Sequence, residues 1–398
     1  MEYSKQLTKL GTETAFAVSA KARAWAEKGN KVYPFHLGDF NLPTPNNIVE
    51  ATLKGIKDGK TGYCPSEGIF SLREALANDV GSKRGVNFFP DNVSVQPGGK
   101  PTIGKFIASV MNPGDEVLYP NPGYPIYESQ IEYQGGLAIP YNYITSDDGF
   151  DIDIDHLKAS ITDKTVAIIY NNYQNPISAE SSIEEMEAIA DLAIANDLWV
   201  LSDDAYYEII YDGEARSIVS IPGMKERTVI LYTFSKKFAM TGWRIGGSIG
   251  PKEIIKHISK LNVNAESCTT HFIQDAMVEA LNGDQSGPQY LLKTLKERRD
   301  ATVNGLNAIN GINVALPKST FYVFPNVNEI LRFKGMTKVE ELQEGALKNA
   351  NVSFCTRDHF GRPSKNESDY FIRFAYSGIN VDDINEGLSK LKEYFESK

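Results

Sequence analysis

The apolar run Thr228-Val-Ile-Leu-Tyr232 ends at Ser235-Lys236-Lys237. A short apolar run bounded by breakers reads as a strand buried in a sheet. A lysine at the end of such a strand is not placed there for solubility. Desolvation lowers a lysine's pKa, so its amine can be neutral and nucleophilic near neutral pH. This is the kind of amine that condenses with an aldehyde cofactor. Downstream comes Arg244, with hydroxyls at Thr233 and Ser235 and glycines at 242, 246 and 247. Hydroxyl donors, a fork-shaped cation and closely approaching backbone suit a phosphate.

The rest of the chain repeats the theme of short buried runs. They fall at Asn92–Gln96, Glu116–Tyr119, Leu137–Tyr141, Val166–Tyr170, Leu198–Ser202, Thr228–Thr233 and Gly246–Ile249. Helical patterns cover 14–28, 46–58 and 68–83, and another starts at Ser181-Ser182, where glutamates three residues on give a capping box. Runs alternating with helices predict a three-layer α/β domain around a mostly parallel sheet. The breaker-rich stretch Asn282-Gly-Asp-Gln-Ser-Gly-Pro288 predicts a boundary. The large domain is expected over 46–283. A long helical stretch then reaches about Asn310, and the chain ends in an amphipathic helix over Val381–Phe395.

Composition excludes several function classes. At 398 residues the chain can bury an ample core, and its net charge of −10 argues against a nucleic-acid partner. The basic cluster Lys296-Glu-Arg-Arg299 reads as a solvated helix face. Three cysteines, at 64, 268 and 355, have no metal-ligand spacing and fit reduced thiols in a cytoplasm. Five scattered histidines offer no zinc site, so no metal is expected. No run approaches the length of a membrane span, and no membrane partner is expected.

The stretch Ser235-Lys-Lys-Phe-Ala-Met-Thr-Gly-Trp-Arg-Ile-Gly246 resembles the cofactor-lysine motif of the pyridoxal-phosphate (PLP) aminotransferases of fold type I, in the aspartate aminotransferase family. The resemblance covers nearly the whole chain. It implies a large domain with a mostly parallel seven-stranded sheet and a smaller α+β domain made of 1–45 and 284–398. It also implies PLP as cofactor, held by Lys236 rather than Lys237.

Other segments carry the resemblance further. Asp203-Asp-Ala-Tyr206 is similar to the D-x-x-Y motif. That similarity implies Asp203 on the pyridine nitrogen, Tyr206 on the ring's 3-oxygen, and Asp204 facing solvent. Asn175-Pro176 matches the start of N-P-T-G, with Ile177 and Ser178 in place of Thr and Gly. It implies an Asn175 donor to the same oxygen and to the substrate. The strand, glycine turn and helix start over Val93–Phe106 imply a phosphate cup at Gly99 and Lys100, completed by Thr233, Ser235 and Arg244. Tyr124 would stack on the ring. Arg373, the one arginine among apolar residues in Tyr370-Phe-Ile-Arg-Phe-Ala375, would clamp the substrate carboxylate, with Gly38 nearby. Tyr63 would reach the phosphate of a neighbouring subunit, which implies a homodimer with shared sites.

The function implied is transfer of an amino group between an L-amino acid and a 2-oxo acid such as 2-oxoglutarate. Catalysis would rest on Lys236, Asp203 and Tyr206. A β-lyase on the same scaffold is the close alternative. A remote one is a nucleotide-binding enzyme, because Gly99-x-x-x-x-Gly104-Lys105 is nearly a P-loop, although Phe106 stands where a magnesium-holding hydroxyl is needed. Aspartate-specific members carry a partner-subunit arginine at a position that here falls on Thr270, with His271 beside it. Neutral or aromatic donors are therefore expected over aspartate. Phe16, Phe40 and Tyr63 would line the pocket, and Arg357 would be the cation for the distal carboxylate of glutamate.

Overall fold

The computed structural model describes residues 2–11, 14–147, 149–364 and 367–398. Each of the expected runs forms a strand of one sheet: β1 (Val93–Gln96), β2 (Glu116–Pro120), β3 (Leu137–Tyr141), β4 (Thr165–Tyr170), β5 (Trp199–Asp203), β6 (Thr228–Thr233) and β7 (Gly246–Ile249). Their order is β1-β7-β6-β5-β4-β2-β3. Strand β7 runs antiparallel to both its neighbours, and the other pairs are parallel.

Both faces of the sheet are covered, which is why its strands read as continuous apolar runs. Alternate residues go to opposite sides. Val117, Ile169 and Leu201 pack with Ile103, Phe106 and Ile258, whereas Leu118, Ile168 and Val200 pack with Met186, Ile189 and Ala193. The predicted capping box is present: Ser182 Oγ accepts from Glu185 N–H, and the Glu185 carboxylate accepts from Ser182 N–H.

The C-terminal part carries a small antiparallel sheet, β8 (Tyr322–Val323), β9 (Cys355–Thr356) and β10 (Ile372–Ala375), in the order β8-β10-β9. Helices Ser286–Asn307, Val339–Ala350 and Val381–Glu396 accompany it. Tyr33 and Pro34 pair in parallel with Val352 and Ser353. Tyr33 and Phe35 thereby join the core of Leu295, Phe374 and Leu391.

Two expectations of solvation fail. Arg298 and Arg299 are buried. Arg298 donates to the Ser377 carbonyl and to Asn380, and Arg299 to the Pro317 carbonyl and Asp212. Their stems pack while their heads reach oxygens, a habit of long cationic side chains that a helical pattern cannot reveal. Cys64 is partly buried, its thiol donating to the Thr269 carbonyl at 3.5 Å and accepting from Gln274 at 3.2 Å, and burial raises its pKa to about 11, with the neighbouring Cys268 adding to the rise. Among the described residues no helix is long and apolar enough to cross a membrane.

Candidate active site

The C-terminal ends of the parallel strands open into a cavity of about 630 Å³. Ligands bind there in open α/β sheets because loops at those ends diverge around the strand where the winding reverses. Gly38, Gly99, Lys100, Tyr124, Asn175, Asp203, Tyr206, Thr233, Ser235, Lys236, Arg244 and Arg373 all line it. The residues expected to hold the cofactor and the substrate carboxylate are therefore brought together, with one exception. Tyr63 is 89% exposed and lies outside this cavity.

Lys236 follows β6 and donates to the Gly38 carbonyl at 3.0 Å. Burial lowers its pKa to about 8, and the cations Arg373 and Arg244 add to the effect. Its neighbour Lys237 turns away and pairs with Glu208 at 2.5 Å. Asp203, the last residue of β5, is buried. Desolvation raises its pKa to about 6, against the pull of hydrogen bonds from Tyr127 and the Ala205 N–H.

Asp204 does not face solvent. It is buried and takes both Nε and Nη2 of Arg84, at 2.9 and 2.7 Å, plus the Ser202 hydroxyl at 2.6 Å. Alternate side chains at a strand end point to opposite faces, and here the second face is covered too.

At one end of the cavity lies the glycine turn. Gly98 has φ +97°, and helix Lys100–Val110 starts just after Gly99. A Cβ on Gly98 would collide with the Arg244 guanidinium, and one on Gly99 would come within 2.7 Å of Leu231. Arg244 itself adopts a left-handed conformation, φ +56°. Thr233 and Ser235 share a 2.9 Å hydrogen bond beside it. This cradle of backbone, two hydroxyls and a guanidinium admits a phosphate where side chains on the turn would exclude it.

The nucleotide-binding alternative fails at Lys105. A P-loop lysine must point into its loop. Here Lys105 is buried and bound to Gln96, Asn262 and Glu266.

At the other end Arg373 is buried on β10. Its Nη1 donates to Asn175 Oδ1 at 2.9 Å and its Nη2 to the His36 carbonyl at 2.8 Å. Its Nε has no partner. The guanidinium lines the cavity as a buried cation, which suits a carboxylate. With its oxygen taken by Arg373, Asn175 keeps its NH₂ donors for the cavity. Burial and the nearby Arg373 cation lower His36 and His359 to about 4, so both are neutral beside that cation.

Several neighbours were not singled out from the sequence. Tyr127 holds Asp203. Asn171 donates to the Asp203 carbonyl at 2.7 Å and accepts from the Asn175 N–H at 3.1 Å. Tyr322 meets Tyr206, hydroxyl to hydroxyl, at 2.6 Å. Ser178 takes φ +56°, where the family motif has glycine, and its hydroxyl bonds Thr320 and the Tyr322 carbonyl. Side-chain hydrogen bonds offset the strain there. Tyr127 lies three residues after Tyr124 and Asn171 four before Asn175, so the sequence carries a signal for both. Tyr322 had none beyond an aromatic in a strand.

The residues named for the substrate side chain fare less well. Phe16 lines the cavity, but Phe40 packs against Phe321 instead. Arg357 is buried and fully engaged, bonding Glu367 at 2.6 and 3.0 Å, Asn121, and two carbonyls. His271 lies outside the cavity, 3.9 Å from Asp275.

A doubly wound sheet, a desolvated lysine at its C-terminal edge and an anion-ready cavity define a group-transfer enzyme of the α/β class. The chain belongs to the class I and II aminotransferases, PLP-dependent enzymes of fold type I, whose family model matches residues 30–391. The aspartate aminotransferase of Bacillus sp. (strain YM-2) is 32% identical over 97% of each chain. Among solved structures, alanine aminotransferase from Pyrococcus furiosus superposes with a TM-score of 0.91 at 28% identity, covering 100% of each chain. Aromatic aminotransferase from Pyrococcus horikoshii OT3 does so with a TM-score of 0.85 at 30% identity, covering 94% of this chain and 98% of that one.

Proposed function

We propose that this aminotransferase holds PLP in the cavity and moves an amino group between an L-amino acid and a 2-oxo acid such as 2-oxoglutarate. The observation that carries the reading is the Lys236 amine, lowered to about 8 and set between Asp203 and Arg373 in one cavity. The donor set fits the cofactor: a cradle for phosphate, a carboxylate for a ring nitrogen, and two donors for a ring oxygen. When bound, PLP supplies a protonated ring that accepts the electrons of the substrate carbanion.

The chain's own residues do the rest. Arg373 takes the substrate carboxylate with its guanidinium and orients Cα. Lys236 Nζ, once displaced by the substrate amine, removes the Cα proton and returns it as an acid, and its lowered pKa lets it do both near neutral pH. Asp203 would meet the positive charge of the ring nitrogen, Asn175 and Tyr206 would donate to the ring oxygen, and Tyr124 would cover one face of the ring.

We also propose a large domain over 46–283 and a small one from 1–45 with 284–398, supported by the shared core of Tyr33, Phe35 and Phe374. A homodimer would give the exposed Tyr63 a phosphate to reach. The reaction is tested by following the visible band of the purified holoenzyme while adding amino acids, then assaying keto acid. Borohydride reduction followed by peptide mapping should mark Lys236. A mark on Lys237, or no keto acid from any donor, overturns the reading.

The substrate side chain is proposed to be neutral or aromatic rather than that of aspartate. Phe16, Leu37, Tyr124 and Phe360 line the cavity, and Arg357 is spent on Glu367. One observation favours a second reading. Lys100 lines the same cavity, its ammonium 5.6 Å from the Tyr124 ring centroid, and it is a cation that an acidic side chain can meet.

A further inference from the structure

Tyr322 stands between the two ends of the cavity. Its hydroxyl lies 2.6 Å from that of Tyr206, and both rings are buried. The Arg373 guanidinium sits over the Tyr322 ring, 4.5 Å from its centroid. The ring also meets that of Tyr206 edge on, at 5.5 Å and 74°.

The surroundings fix it there. A Cβ on Gly38 would collide with the Tyr322 hydroxyl, so glycine at 38 makes room for that oxygen. The Ser178 hydroxyl donates to the Tyr322 carbonyl at 2.9 Å, and the Tyr322 N–H donates to Thr320 Oγ1 at 3.3 Å. Two distant segments and its own turn thus hold one phenol against another.

Two phenols have two protons to place. If the Tyr206 O–H points at a ligand oxygen, its own oxygen must accept, and the Tyr322 O–H is the donor at hand. Hydrogen bonds in such a chain polarise one another. A donor that itself receives a hydrogen bond gives a stronger one.

We propose that Tyr322 is a positioning residue that acts through Tyr206: it donates to the Tyr206 hydroxyl and strengthens the bond that Tyr206 makes to the cofactor's ring oxygen. The inference rests on the cofactor seat proposed above. Stabilising an anionic ring oxygen lowers the pH at which the resting holoenzyme's visible band changes. Removing the Tyr322 hydroxyl raises that pH. Arg373 takes part as well: burial raises the Tyr322 pKa, and the cation over the ring opposes that rise, which favours the phenol as a donor.

The test is a pH titration of the visible band in wild type, Tyr322→Phe, Tyr206→Phe and the double variant. Tyr322→Phe keeps the ring under Arg373 and loses one oxygen. Its midpoint should rise by about half a unit to one unit, the size of one hydrogen bond. Tyr206→Phe should raise it by more, and the double variant no further than Tyr206→Phe alone. Near-ultraviolet circular dichroism checks that the variants are folded. Should Tyr322→Phe fail to fold, 3-fluorotyrosine at 322 keeps the shape and donates more strongly, so the midpoint should fall. A shift with Tyr206→Phe but none with Tyr322→Phe overturns this inference and leaves the cofactor seat standing. Additive shifts in the double variant also overturn it, because Tyr322 would then act independently of Tyr206. No shift with Tyr206→Phe, or no visible band in wild type, overturns both.

Discussion

Tyr127 donates a 2.6 Å hydrogen bond to Asp203 Oδ2, and Asn171 donates at 2.7 Å to the carbonyl of the same residue. The carboxylate is thus oriented before anything binds. Burial raises its pKa to about 6, and the Tyr127 bond is the largest influence in the other direction. A cation placed against Asp203 would complete its ionisation.

The first prediction tests that pairing. In the loaded enzyme Asp203→Ala should lower kcat by about 10³-fold or more, since the ring's positive charge loses its partner. Tyr127→Phe should lower it by roughly 3–10-fold, the size of one hydrogen bond. Steady-state kinetics decide. Near-normal turnover in Asp203→Ala would mean another group meets the ring nitrogen.

The second concerns the other carboxylate of the pair. Asp204 and Arg84 are both buried, and the Arg84 guanidinium also stacks on Tyr207 at 3.5 Å. Removing one partner strands a buried charge. Arg84→Ala should therefore cost about 3–5 kcal/mol of stability, read from denaturant midpoints, whereas exposed Lys54→Ala should cost little. A loss under about 1 kcal/mol for Arg84→Ala would show that the pair is solvated.

Much of this was legible in the sequence, and the failures share a cause. Period and breakers gave the strands of the main sheet because buried parallel strands have few other ways to read. The cofactor-lysine stretch and the short motifs gave the cavity lining, since each motif sits at the end of a strand that brings it there. Partner choice among long polar side chains was not legible. Asp204, Arg298 and Arg357 look solvated or free in sequence, and each is buried by a residue far along the chain: Arg84, Ser377 and Asn121. Tyr322 was missed for the same reason, because its partner Tyr206 is brought to it by the fold.

A third prediction follows from the depressed lysine. In the cofactor-free protein Lys236 has a folded pKa of about 8 against an ordinary 10.5. Between these values the unfolded chain binds more protons, so this group makes stability rise with pH across that window. Below pH 8 the folded protein carries a desolvated ammonium. Lys236→Met should accordingly stabilise the apoprotein by roughly 1–3 kcal/mol at pH 7, with the gain fading toward about pH 10.5. Thermal melts of apoprotein across pH check it. A gain that does not change with pH would trace to packing instead.

A fourth concerns the subunit arrangement. Tyr63 is exposed, as are the apolar residues Leu53, Ile56 and Phe70. If Tyr63 serves a partner's site, mixing a Tyr63→Ala subunit with a Lys236→Ala subunit gives heterodimers in which one site carries both defects and the other none. Activity per Tyr63→Ala subunit should rise on mixing. No rise, with subunit exchange shown by mass spectrometry, would place Tyr63 outside the partner's site.

The last prediction concerns the substrate side chain. The apolar part of the cavity wall includes Phe16, Leu37, Tyr124 and Phe360. His359 lies there too but is neutral, held at about 4 by burial and by Arg373. Arg357, the cation expected to answer a distal carboxylate, is bonded by both carboxylate oxygens of Glu367 and by the Phe360 and Gly361 carbonyls. A carboxylate buried among these groups would cost roughly several kcal/mol unless paired. Lys100, which also lines the cavity, is one cation that such a side chain can meet. Half-reaction rates with alanine, phenylalanine, methionine and aspartate, in wild type and Lys100→Met, separate the two readings. With apolar walls in control, phenylalanine or methionine exceeds aspartate in kcat/KM, and Lys100→Met changes their order little. With Lys100 in control, aspartate leads by about tenfold or more, and Lys100→Met removes that lead, a change of roughly 1–3 kcal/mol in discrimination. That second outcome would sink the proposed preference for neutral and aromatic donors while leaving the transaminase chemistry at Lys236 untouched.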